Sequence, residues 1–147
     1  MKSVPFYLLI AEDTKEEVLL LKRMLSTYFA DWKYRIVNDG KELMAFLSEH
    51  PAISVILLDM HLPGKDGLML LSEIRETKEY RHIPVAGYSS SASATTVEAF
   101  LTSGGNYFFE KSLNYEQFIF AFRTLPSLII NKEVPIPTFS SVKTDRI

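Results

Sequence analysis

The sequence contains no cysteine, which excludes disulfide scaffolds, thiolate metal sites and cysteine nucleophiles together and fits a reducing compartment. It also lacks long apolar runs. Leu19 to Leu21 stop at Lys22 and Val55 to Leu58 stop at Asp59, far short of the roughly 18 residues of a membrane-spanning helix. Met1-Lys2-Ser3-Val4-Pro5 has no apolar stretch behind its lysine, so no secretory signal is expected. A basic excess is missing too: the formal net charge is -2, which argues against a broad nucleic-acid-binding surface. The three histidines, His50, His61 and His82, are far apart and lack metal-ligand spacing. These absences predict a cytoplasmic chain that binds neither membrane nor nucleic acid.

What is present suits one domain. The chain has 147 residues and is 47% hydrophobic, enough for a sizeable core. Short apolar runs alternate with amphipathic stretches. Phe6 to Ala11, Tyr34 to Val37, Ile53 to Leu58, Ile83 to Tyr88 and Asn106 to Phe109 read as strands. Between and after them, Lys15 to Ala30, a segment from Asp39 to Glu49, Asp66 to Glu76, Ala94 to Thr102 and Tyr115 to Leu125 read as helices. Asp39 stands as an N-cap, and Gly104-Gly105 as a C-cap signal.

Strict strand-helix alternation forces crossover connections, hence a parallel sheet covered on both faces. The fold class predicted is α/β, a doubly wound five-stranded parallel sheet in a three-layer α/β/α sandwich. The strand order 2-1-3-4-5 is one common order of such sheets and is taken over from that class, not read from the residues. Residues 1–130 are assigned to the domain. Residues 131–147, with Pro135, Pro137, Ser140 and Ser141 and little periodicity, read as a flexible C-terminal tail.

Ligands of open parallel sheets bind beyond the carboxyl ends of the strands. Glu12 and Asp13 follow the first strand, Asp59 the third, Ser89-Ser90-Ser91 the fourth and Lys111 the fifth. Each alone has a bland reading: a helix-cap region, a strand-ending turn, loop hydroxyls, a solvated charge. Their convergence on one sheet edge carries the argument. Clustered carboxylates call for a hard divalent cation such as Mg2+. A carboxylate beside that cation can attack phosphorus to give an aspartyl phosphate. Lys111 would hold a further phosphoryl oxygen and Ser89 would donate to it. Nothing in the sequence looks able to bind a nucleotide, so the phosphoryl group must come from another molecule.

Four stretches carry a family resemblance: Leu8 to Asp13, Leu57 to Gly67, Ile83 to Ser89 and Gly104 to Lys111. In this order they resemble CheY-like response-regulator receiver domains from about Phe6 to Leu125, and the block Asp59-Met60-His61-Leu62-Pro63-Gly64-Lys65-Asp66-Gly67 is highly specific. The resemblance implies that Glu12 and Asp13 form the acidic pair, with Asp13 as a direct metal ligand, and that Asp59 is the phosphoacceptor. It further implies that the backbone carbonyl of His61 completes the metal site, that Ser89 is the switch hydroxyl and that Lys111 is the salt-bridging lysine. The pair Lys111-Ser112, where most receivers have proline after the lysine, is similar to a stand-alone subgroup associated with phytochrome kinases.

The function implied is a phosphorelay receiver, not an enzyme. It takes its phosphoryl group from a sensor histidine kinase or a phosphotransfer protein and switches protein contacts. Phe108 occupies the aromatic switch position, where many receivers have tyrosine, and is expected to turn inward on phosphorylation without a hydroxyl to bond. Receivers resembling this one commonly pair through the fourth helix, fifth strand and last helix. Here Phe118, Phe122 and Leu125 form the stripe expected to face the sheet, while Tyr115, Ile119, Phe120 and the segment Pro126 to Ile130 are surplus apolar surface. A homodimer through that face is therefore expected.

Three alternatives stand beside this reading. An aspartyl-phosphate phosphatase of the haloacid-dehalogenase type needs a second aspartate two residues after the first, where this chain has His61. A flavin-binding module would want a glycine-rich loop where Thr14-Lys15-Glu16-Glu17 stands. The remaining rival is a pseudo-receiver that binds partners without phosphorylation.

Overall fold

Side chains at every second strand position belong to the same core, and this alternation sets the architecture of the computed structural model, which describes residues 5–49, 52–111 and 114–130. The elements are β1 (Tyr7–Ala11), α1 (Lys15–Tyr28), β2 (Lys33–Val37), α2 (Gly40–Glu49), β3 (Val55–Asp59), α3 (Gly67–Glu76), β4 (Val85–Ser89), α4 (Ala94–Thr102), β5 (Tyr107–Glu110) and α5 (Tyr115–Thr124). A short 3₁₀ turn, Leu125–Leu128, follows α5. The sheet is parallel throughout, in the order β2-β1-β3-β4-β5. The fold class and strand order are those expected. The assigned tail, residues 131–147, lies outside the described residues.

Two cores flank the sheet. Leu8, Ile10, Val55, Leu57, Ala86, Tyr88, Tyr107 and Phe109 face α1 and α5, where Leu21, Met24, Leu25, Phe118 and Phe122 receive them. Leu9, Ala11, Ile56, Leu58, Val85 and Phe108 face α2, α3 and α4, against Leu43, Leu47, Leu70, Ile74 and Phe100. The central strands β3 and β4 are buried at every residue, as a sheet covered on both sides requires.

Local chemistry sets the element ends. Asp39 Oδ1 accepts from Glu42 N–H at 2.8 Å while the Glu42 carboxylate accepts from Asn38 N–H, a reciprocal cap that starts α2. Asp66, Ser93 and Asn114 cap α3, α4 and α5 in the same way, each accepting from the N–H three residues on. Gly104, with φ of +109°, ends α4, and the Gly105 N–H returns to the Phe100 carbonyl. Arg75 ties that end down by donating to the Gly104 and Ile83 carbonyls and to Asn106 Oδ1.

Two strand boundaries shift against expectation. β3 and β4 run through Asp59 and Ser89, so both residues are the last of their strands instead of the first beyond them. Ladder geometry therefore holds their backbones directly. The expected surplus of apolar surface on α5 is smaller than the sequence suggests. Ile119 is 9% exposed and belongs to the core, and Leu128 is fully buried because the 3₁₀ turn folds it under the sheet. Phe120 at 56%, Ile129 at 48% and Ile130 at 90% stay exposed.

Candidate functional site

The alternation that builds the cores also gathers the site. Each strand's α1/α5-facing series leads at or just past its end to the site: from Leu8 and Ile10 to Glu12, from Val55 and Leu57 to Asp59, and from Tyr107 and Phe109 to Lys111. These three meet at the carboxyl edge of the sheet. Lys111 Nζ lies 3.0 Å from Glu12 Oε1 and 3.2 Å from Asp59 Oδ2. Its backbone N–H donates to the Ser89 carbonyl at 2.8 Å, which fixes where its side chain begins. Glu12 and Asp59 are buried, and Asp13 is exposed.

Carboxylate oxygens of Glu12, Asp13 and Asp59 lie within 4.8 Å of one another. At an effective dielectric near 20, two like charges at that separation repel by about 3 kcal/mol. Three carboxylates against one ammonium leave the pocket with excess negative charge, and its donor set is all oxygen. That chemistry fits a hard divalent cation.

The electrostatics of each group follow from its partners. Burial pushes the Asp59 carboxyl up and the Glu12 charge adds to this; the His61 N–H, 3.0 Å from Asp59 Oδ1, and Lys111 oppose it, and the net result is raised. Burial also acts to raise Glu12, but hydrogen bonds from the Tyr88 hydroxyl, the Thr14 N–H and Lys111 outweigh it, and its carboxyl sits below the ordinary value. Burial alone would lower Lys111, yet its two carboxylate partners win and raise it. Glu17, on the first turn of α1, is raised chiefly by burial, with the charges of Glu12 and Asp59 contributing.

Ser89 comes from the opposite parity, with Val85 and Gly87, and is fully buried. Its hydroxyl donates to the Ser91 carbonyl at 2.9 Å and accepts from the Ser91 N–H at 3.3 Å. His61 Nε2 lies 3.0 Å from the same oxygen. With the serine proton on Ser91, the imidazole must be the donor. Phe108 is also fully buried, edge-to-face on Phe100 with ring centroids 5.4 Å apart. Gly87 makes room for both rings. In this structure the inward turn expected of Phe108 has no outward starting position.

Every residue singled out in the sequence therefore reaches this edge except Phe108, which lies in the core behind it. Two contributions were not read from the sequence. One is the side chain of His61, for which only the backbone was considered. The other is Tyr88, hidden inside an apolar strand, whose hydroxyl donates to Glu12 and whose ring lies 4.8 Å from Lys111 Nζ. The α1/α5-facing series on β4, from Ala86 to Tyr88, is the signal that would have found it.

Comparison with known proteins places this arrangement. The response regulator receiver domain matches residues 8–123. Response regulator Rcp1 of Synechocystis sp. is 34% identical over 116 residues, 75% of this chain and 79% of that protein. The crystal structure of the phosphorylated cyanobacterial phytochrome response regulator RcpA superposes with a TM-score of 0.73 at 26% identity, covering 89% of this chain and 98% of that one. The Mn2+-bound form of Rcp1 gives 0.68 at 29% identity, covering 90% and 99%. With its sheet order, acidic edge and lysine in place, the chain belongs to the response-regulator receiver family of two-component systems.

Proposed function

We propose that Asp59 accepts a phosphoryl group from a phosphohistidine on a sensor histidine kinase or phosphotransfer protein. The observation that carries this reading is one partly buried ammonium, Lys111, held between the acceptor carboxylate and a neighbouring one. In the transfer, an Asp59 carboxylate oxygen forms the new O–P bond while the P–N bond of the donor breaks. The electron pair of that bond stays on the donor's imidazole nitrogen. Lys111 can leave its carboxylate partners for a phosphoryl oxygen, and Ser89 can turn its proton from Ser91 to another. Glu12, Asp13, Asp59 and the His61 carbonyl would hold Mg2+, which supplies charge neutralisation to the carboxylates and the phosphoryl oxygens. The Mn2+-bound form of Rcp1 supports divalent-ion binding by this chain.

The chain acts as a stoichiometric acceptor and not as a turnover enzyme. No acid/base carboxylate stands two residues after Asp59, and the imidazole that does is engaged with Ser89. Its output is a change in protein contacts, with α5 contributing exposed apolar surface to a homodimer. Among the described residues no helix is long and apolar enough to cross a membrane. Incubation with magnesium and acetyl phosphate, followed by intact-mass measurement, tests the central claim. A single phosphate adduct is expected for the wild type and none for Asp59→Asn. A full adduct on Asp59→Asn would refute the assignment.

A further inference from the structure

Tyr88 is a member of the site for which the phosphoacceptor reading has no use. It is fully buried, on the last turn of the β4 pleat that faces α1 and α5. Its hydroxyl donates to Glu12 Oε1, the same oxygen that holds Lys111 Nζ at 3.0 Å. The other Glu12 oxygen accepts from the Thr14 N–H at 3.1 Å. With a carboxylate as its partner, the phenol hydroxyl is the donor of this bond.

Resting on the reading of Asp59 as phosphoacceptor, we propose that Tyr88 is a positioning residue that keeps Glu12 hydrogen-bonded and in place when Lys111 leaves it for the phosphoryl group. Glu12 is fully buried with Lys111 in place, and its Oε1 has two partners, the Tyr88 hydroxyl and Lys111 Nζ. A buried carboxylate oxygen that loses its ammonium is left one hydrogen bond short, a cost that a cation shared with Asp13 and Asp59 would offset only in part. Without Tyr88 that cost falls on the release of Lys111 and holds the lysine on Glu12. With Tyr88 the oxygen retains a charge-assisted bond, and the ammonium is free to exchange one anionic partner for another. The 4.8 Å approach of the ammonium to the Tyr88 ring gives Lys111 a second contact that does not depend on Glu12.

The test is a double-mutant cycle on the full chain: wild type, Tyr88→Phe, Glu12→Gln and the double variant. Each is incubated with saturating magnesium and acetyl phosphate and followed by intact mass. Tyr88→Phe, which removes only the hydroxyl, is expected to slow phosphorylation about tenfold. In the Glu12→Gln background the same change is expected to cost less than about twofold, because the anion it serves is gone. A Tyr88→Phe rate within twofold of wild type overturns the proposal. So does an equal loss in both backgrounds, which would mark a structural effect acting elsewhere. A second measurement needs no substitution. In wild type labelled with 13C at the tyrosine Cζ, the Tyr88 signal should keep its hydrogen-bonded shift when beryllium fluoride and magnesium are added. Movement to the shift of an unbonded phenol overturns the proposal. If wild type itself takes up no phosphate, the phosphoacceptor reading falls and this one with it, an outcome distinct from a loss confined to Tyr88→Phe.

Discussion

Lys111 and Glu12 form a salt bridge of 3.0 Å in which the carboxylate is fully buried and the lysine side chain is 10% exposed. The same ammonium reaches Asp59 at 3.2 Å. Removing one partner of a buried pair leaves an uncompensated charge, and here it leaves two carboxylates facing each other. Lys111→Met should therefore lower stability by about 2–4 kcal/mol, read from urea denaturation. Magnesium offers the pocket a replacement cation, so millimolar magnesium should raise the melting temperature of Lys111→Met more than that of wild type. Equal shifts in the two proteins would show that the lysine does not neutralise this pocket.

Asp59 has the opposite energetic sign. Its folded-state pKa is raised above 3.8, so the native state binds the proton more tightly than the unfolded chain does. As pH falls from neutral through that raised value, this group contributes increasing stability, and its ionised form costs stability above it. Glu12 is lowered below 4.5, so its contribution is present above that value and disappears as pH falls through the folded value. Asp59→Asn removes the first effect and keeps the second. The metal-free variant should be more stable than wild type at pH 7, read as a higher melting temperature. The gap should narrow as the pH is lowered toward 4. A gap that widened on acidification would contradict the raised Asp59.

How far the residues alone carried this picture depended on which physical signal each feature left. Helical and strand periodicity placed all ten main elements, and the convergence of Glu12, Asp13, Asp59, Ser89 and Lys111 followed from strand ends alone. Tyr88 left no such mark, because a tyrosine in an apolar strand looks like core until the partner of its hydroxyl is known. Ile119 misled for a related reason. Its place on the helix suggested a second stripe, but α5 buries Phe118, Ile119, Ala121 and Phe122 together, a band wider than one stripe. Leu128 depended on a 3₁₀ turn that helical periodicity cannot distinguish from a loop.

Gly87 lies on the face of β4 that packs against Phe100 and Phe108. A Cβ there would stand 2.9 Å from ring carbons of Phe100 and 3.1 Å from Phe108, inside the core that joins α4 to β5. Gly87→Ala should destabilise the protein by about 1–3 kcal/mol through overpacking and alter the near-ultraviolet circular dichroism of those rings. Glu12, Asp59 and Lys111 belong to the opposite face and only Ser89 shares the parity of Gly87, so phosphorylation by acetyl phosphate should stay within about twofold of wild type unless β4 shifts far enough to displace the Ser89 hydroxyl. A large loss of phosphorylation would mean that the packing of Phe108 and the reactive edge are coupled through β4.

Self-association is tested best at residues that the core does not need. Ile119 is unsuitable, since a charge there would enter the α1/α5 core and unfold the chain. Phe120 on α5 and Ile130, two residues beyond the 3₁₀ turn, are 56% and 90% exposed. An isologous dimer covering them would bury apolar surface that water now meets. Wild type should sediment as a dimer at about 10–100 μM, the range expected of a modest interface. Phe120→Glu with Ile130→Glu should weaken the association at least tenfold while leaving the melting temperature within about 2 °C, because each glutamate would remain solvated in the monomer but be desolvated in the dimer. Beryllium fluoride and magnesium provide the remaining arm. A dimer that forms only in their presence would make this surface the switched output, whereas a wild-type monomer at every concentration, with and without the mimic, would rule out self-association as the output.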